Sequence, residues 1–214
     1  MSRPDAARPL VISDCDEVLL HMIAPFRAWL DETQGVTFSM KGNDFARSMT
    51  WTDTAEPVEP SEIWRLLNLF FCEAMDRQYP IAGAVEAMGA LGEVADVVVL
   101  TNLGDEHQQR RTAQLLDHGL NLKVYTNLGP KGPALRRILD EYRPSRAVFI
   151  DDIAHHHNSA AEHAPELGRL HFCGEPELAP LIACAHSAGH AHARIDAWPQ
   201  ALPWLLGRIN GDPE

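Results

Sequence analysis

The sequence predicts an α/β protein of three layers, a parallel sheet covered by helices on both faces. Short β-rich apolar runs alternate with helical patterns along most of the chain. The runs are continuously apolar, as strands buried on both faces require. At about 150 residues per domain, the 214 residues have room for one core and an insert.

The first strand is predicted at residues 9–13 (PLVIS), and further strands at 95–100 (ADVVVL), 122–126 (LKVYT), 147–150 (AVFI) and 169–172 (RLHF). Helices are predicted between them. Residues 84–94 place Val85, Met88, Leu91 and Val94 on one face, and 106–116 is polar with an apolar stripe. Residues 132–142 open with Pro133 in the first turn, where the missing N–H costs little. The last helix, 197–209, carries Trp198, Leu202, Leu205 and Leu206.

From residue 20 to about 80 the rhythm changes. Segments 22–30 (Ile23, Phe26, Trp29) and 61–75 (Ile63, Leu66, Phe70) read as helices, the second with Ser61 as N-cap after Pro60. A polar loop with Gly35, Gly42, Pro57 and Pro60 joins them. The predicted organisation is an α/β core of residues 1–20 and 81–214, with a small helical insert at 21–80 after strand one.

Lys and Arg number 18 against 30 Asp and Glu, a net charge of −12. Such a surface repels phosphate polymers and anionic membranes, so neither nucleic acid nor membrane is expected as a partner. No apolar run approaches the ~18–20 residues of a membrane span, and Pro4 and Asp5 interrupt the start where a secretory signal would turn apolar. Cys15, Cys72, Cys173 and Cys184 are scattered, which suits reduced thiols and a cytoplasmic location.

The chemistry gathers where the strands end. Strand one ends in Asp14-Cys15-Asp16, the second in Thr101-Asn102 and the fourth in Asp151-Asp152, while Lys131 follows Gly129-Pro130 at a helix start. In a parallel sheet these groups converge on one crevice. Clustered carboxylates repel one another unless a hard divalent cation intervenes, and oxygen ligands favour Mg²⁺. Lys131, Thr101 and Asn102 complement a phosphoryl group. One aspartate can attack phosphorus, and another two residues on can protonate the leaving oxygen.

Four segments, LVISDCDEVLL (10–20), VVVLTN (97–102), GPKGPAL (129–135) and AVFIDD (147–152), resemble in order the four motifs of the haloacid dehalogenase superfamily of phosphohydrolases. The resemblance implies a Rossmann-like core with a C1-type cap at 21–80. It implies Asp14 as nucleophile and metal ligand. Asp16 would be general acid/base, its backbone carbonyl on the metal. Thr101 and Asn102 would bind the phosphoryl group, and Lys131 would neutralise it together with the nucleophile. Asp151 and Asp152 would hold Mg²⁺, with the direct ligand left open between them.

The implied activity is Mg²⁺-dependent hydrolysis of a small phosphorylated metabolite through an aspartyl-phosphate. A phosphotransferase or mutase of the same superfamily, or a non-catalytic binding protein of that fold, are the alternatives. The second aspartate argues against a true dehalogenase, whose leaving halide needs no proton. Glu17 departs from the pattern, standing where glycine usually eases the turn out of the strand.

In the insert, Lys41, Arg47, Trp51 and Arg65 are candidates for contacting the leaving group, and otherwise read as surface and packing residues. Its apolar helices also offer a surface for a homodimer. His155–His157, and separately His186, His190 and His192, read as structural or surface residues. Cys15 is expected to pack beneath the site as an unreactive thiol.

Overall fold

The computed structural model describes residues 7–40 and 45–211. Along the chain come β1 (Leu10–Ser13), β2 (Leu20–His21), α1 (Ile23–Trp29), β3 (Val36–Phe38), β4 (Met49–Trp51), α2 (Pro60–Glu73) and β5 (Tyr79–Pro80). Then follow α3 (Ala84–Val94), β6 (Asp96–Thr101), α4 (Gln108–Asp117), β7 (Lys123–Thr126) and α5 (Gly132–Tyr142). The chain closes with β8 (Ala147–Asp151), α6 (Ala154–His163), β9 (Gly168–His171), β10 (Ala193–Arg194) and α7 (Trp198–Asn210).

Six strands form one parallel sheet in the order β10-β9-β8-β1-β6-β7. Burial on both sides accounts for the continuous apolar runs. In β1, Val11 faces a core cluster with Leu91 of α3, Leu115 of α4 and Leu205 of α7. Its neighbours Leu10 and Ile12 face the opposite cluster, with Leu135 and Ile138 of α5 and Ala160 of α6. The side-chain period of two therefore feeds two helical layers from one strand. This is the predicted three-layer architecture.

The chain runs from β1 outward through β6 and β7, then returns to the other side of β1 for β8, β9 and β10. The direction of winding reverses between β1 and β8, and a parallel sheet opens a crevice beyond the carboxyl ends at such a point.

The insert departs from β2 and returns at β5, which pair antiparallel with His21 opposite Tyr79. Beyond that pair, α1 and α2 build a separate cluster around Phe26, whose ring lies 5.3 Å from Phe70 and 6.0 Å from Phe38. Leu103, Cys173 and Leu178 complete this cluster from outside the insert.

Two details differ from expectation, and a third divides a reading left open between structural and surface roles. The polar loop contains an antiparallel pair, β3 with β4, too short to show periodicity. The α2 N-cap is Glu59 with Pro60 in the first turn, not Ser61, because the fixed φ of proline already suits the helix. The His155–His157 run belongs to α6, where His156 and His157 are buried and His155 is not. Among the described residues no helix is long and apolar enough to cross a membrane.

Candidate active site

Asp14 follows β1 and Asp151 ends β8, so their carboxylates meet at the reversal of the sheet. Lys131 stands directly before α5 and reaches into the gap. Its Nζ lies 2.8 Å from Asp14 Oδ1 and 2.7 Å from Asp151 Oδ2, with all three residues buried. The approach depends on Gly132, where a Cβ would come within 2.4 Å of the Ser159 carbonyl of α6. The glycine thus lets α5 pack against α6 and brings the lysine to the acids.

Asp14 uses only one oxygen in these contacts. Oδ1 accepts from the Cys15 N–H at 2.7 Å and from Lys131, leaving Oδ2 for the crevice. Burial pushes its pKa up to about 7, Lys131 opposes this, and Asp151 and Asp16 add to it. Burial alone would depress the Lys131 ammonium, but Asp14 and Asp151 hold its pKa above the ordinary value.

The acidic pair divides its work. Asp151 spends Oδ2 on Lys131 and Oδ1 on the Ile153 N–H at 2.8 Å. Burial works against its ionisation, yet the lysine and nearby histidines hold its pKa below the ordinary range. Asp152 has no such anchors; burial and the charges of Asp151, Asp14 and Glu17 push its pKa well up.

Asp14, Asp151 and Asp152 each offer an oxygen within 4.8 Å of the others. An all-oxygen donor set with one unneutralised carboxylate fits a hard divalent cation. Thr101 provides a second sign of a ligand, since its hydroxyl is fully buried at the crevice without a hydrogen-bond partner. Asn102 also lines the crevice, with its amide donating to the Gly129 carbonyl at 2.9 Å.

Asp16 lines the same crevice but its side chain stands outside the cluster of three carboxylates. Its side chain turns to Arg111, whose Nη2 lies 2.9 and 3.1 Å from the two oxygens, and accepts from Gln78 Nε2 at 2.6 Å. Arg111 is fully buried on α4, and its Nη1 also donates to Cys15 Sγ at 3.2 Å. Cys15 is buried and burial raises its pKa, as an unreactive thiol requires. Sequence reasoning missed Arg111 and Gln78.

Glu17 has φ 58°, the left-handed turn that glycine would make freely. Its Oε1 accepts the N–H groups of Met22 and Ile23 at 2.8 and 2.6 Å, fixing the start of α1. Its Oε2 is buried without a partner, and burial pushes its pKa up to about 7 against those hydrogen bonds.

Two further histidines brace the acidic pair. His157 Nε2 donates to the Asp151 carbonyl at 3.0 Å, and His171 Nε2 to that of Asp152 at 2.7 Å. His156 accepts from Asn102 at 3.3 Å, and burial lowers its pKa to about 4. His186 and His192 instead tie backbone turns, Nδ1 of one to the Ala191 carbonyl and of the other to the Arg169 N–H.

The crevice continues into a cavity of about 540 Å³ between core and insert. Phe45, Trp64, Leu67 and Phe71 of the insert line it. Of the insert residues singled out from sequence, those described do not. Arg65 is exposed and paired with Glu62 at 2.6 Å, Trp51 packs on the insert core, Arg47 is exposed, and Lys41 lies outside the described residues. A groove of about 660 Å³ at the amino ends of β8 and β9 is larger but holds none of the candidate site residues.

No family model and no curated protein matches the chain. Solved structures do. A haloacid dehalogenase-like family hydrolase from Streptococcus pneumoniae superposes with TM-score 0.64 at 12% identity, over 92% of this chain and 98% of that one. A haloacid dehalogenase-superfamily hydrolase of subfamily IA from Geobacter sulfurreducens gives 0.57 at 16% identity, over 96% and 100%. YfnB of Bacillus subtilis, solved bound to magnesium, gives 0.60 at 10% identity, over 94% and 100%.

Proposed function

On the haloacid dehalogenase-like fold that this chain has, we propose that it is a Mg²⁺-dependent phosphohydrolase cleaving a small phosphomonoester through an aspartyl-phosphate. The observation that carries this reading is the Asp14 carboxylate, with Oδ1 clamped by Lys131 and Cys15 and Oδ2 left toward the crevice. We take residues 1–20 and 81–214 as the core and 21–80 as its cap.

Asp14, Asp152, Asp151 and the Asp16 backbone carbonyl would hold the cation, with Asp152 as the direct carboxylate of the acidic pair. Bound there, Mg²⁺ supplies positive charge that offsets the anionic nucleophile and phosphoryl oxygens. Lys131 adds a second positive charge at Asp14, and the Thr101 hydroxyl and Asn102 orient the phosphoryl group. Asp14 Oδ2 attacks phosphorus and the bond to the leaving oxygen breaks. Asp16 gives that oxygen a proton, then takes one from the water that hydrolyses the acyl phosphate. To do so Asp16 must release one oxygen from Arg111.

Asp14→Asn tests the reading. It removes the nucleophilic oxygen with little change in shape, so hydrolysis of an aryl phosphate with Mg²⁺ falls to background while circular dichroism and melting stay folded. Activity near the unmodified level would overturn the assignment. Phosphate release without transfer to added alcohols or sugars separates hydrolase from phosphotransferase.

A further inference from the structure

We propose that the substrate's leaving group is apolar and uncharged, an aryl or alkyl alcohol rather than a sugar, a nucleoside or a carboxylate-bearing fragment. This rests on the phosphohydrolase reading for where the phosphate sits. Asp14, Asp16, Thr101, Asn102 and Asp152 occupy one part of the cavity lining. The remainder is dominated by apolar side chains, among them Met22, Ile23, Trp64, Leu67, Phe71 and Ile182, with the Glu17 carboxylate and with His155 and His156 from α6.

Two of these walls are exposed in a way that folding alone does not explain. Trp64 is 58% exposed and Ile153 is 47% exposed, and both line the cavity. Large apolar groups facing one cavity are what a hydrophobic ligand would cover.

The cations show the same preference by where they are spent. Among the described residues, no Lys or Arg lines the cavity. Lys131 is taken up by Asp14 and Asp151, and Arg111 by Asp16. In and around the insert, Arg27 pairs with Glu177, Arg65 with Glu62, Arg77 with Glu32 and Arg110 with Asp76. A second phosphate or a carboxylate on the leaving group would enter an acidic crevice without a counter-charge among the described residues. Most sugar hydroxyls would be stripped of water against Leu67, Phe71 and Ile182, with polar partners in this part of the lining confined to Glu17, His155 and His156, and unpaired buried polar groups are strongly selected against.

The test compares substrates on the full chain with Mg²⁺. Acetyl phosphate reports phosphoryl chemistry with a minimal leaving group. 1-Naphthyl phosphate is set against glucose 6-phosphate, AMP and phosphoglycolate. The expected kcat/KM for the naphthyl ester exceeds each of the other three by about 100-fold. Equal or better turnover of a sugar, nucleotide or carboxylate ester overturns the inference while leaving the phosphohydrolase reading intact.

Calorimetry with 1-naphthylmethylphosphonate and glucose 6-phosphonate, which cannot be hydrolysed, separates the two readings. No turnover of any ester, with selective binding of the naphthyl phosphonate, overturns the hydrolase reading and upholds the apolar subsite. Absence of that selectivity overturns the subsite. Trp64→Ala, at an exposed position that folding tolerates, should weaken naphthyl phosphonate binding about tenfold, and unchanged affinity would count against the proposal.

Discussion

Glu17 occupies a backbone conformation that costs an L-residue about 1–2 kcal/mol, and its carboxylate in turn accepts the two N–H groups that open α1. The same carboxylate is buried beside other acids, and that makes it pH-sensitive. Its folded pKa is raised to about 7, whereas in the unfolded chain it ionises near 4.3. The native state therefore binds more protons across that interval, and stability falls as pH rises through it. In chelator, the melting temperature should drop between pH 5 and 8. Glu17→Gln keeps an acceptor for α1 and removes the titration, so its drop should be shallower. An unchanged slope in thermal melts would show that the burden lies elsewhere in the acidic cluster. Arg111 makes the complementary case. Arg111→Met strands the Asp16 carboxylate and should lower stability by about 3 kcal/mol in denaturant titration, with the proposed phosphatase activity reduced through misplacement of Asp16.

At the scale of elements, the junction of α5 and α6 sets the position of Lys131. Gly132→Ala would drive a methyl into the Ser159 carbonyl. Overpacking of this kind costs about 1–3 kcal/mol, and the shift of α5 should carry the lysine away from Asp14, lowering kcat more than it raises KM in steady-state assays. This scale also shows what could be read from sequence. Asp14, Thr101, Asp151 and Lys131 were legible because each follows a continuous apolar run or a Gly-Pro turn, and parallel topology brings such ends together. Arg111 was not, because on a helix as polar as α4 an arginine looks like solvated surface, and only the distant Asp16 explains its burial. The β3–β4 pair escaped because three-residue strands carry no usable period. Among the described candidates in the insert, the reading as surface and packing residues holds: charge drew notice to Arg65, whereas its neighbour Trp64 lines the cavity.

For the whole molecule, ligand binding and folding are linked. A cation held by the native acids and not by the unfolded chain stabilises by mass action, by about 2.7 kcal/mol at a hundred times its Kd. Mg²⁺ should therefore raise the melting temperature, and Asp152→Asn should largely abolish the rise; a full shift in that variant would remove Asp152 from the ligand set. The antiparallel β2–β5 pair has a different sort of consequence. Because the chain leaves and re-enters the core at adjacent points, the ends of the insert are already joined, and the entropy of closing so long a loop grows only slowly with its length. Residues can thus be added, lost or exchanged between those strands without shifting Asp14 or Lys131. Such tethering lets the cavity wall contributed by the insert diverge while the acidic cluster and Lys131 stay fixed, a physical route by which one scaffold acquires many substrates.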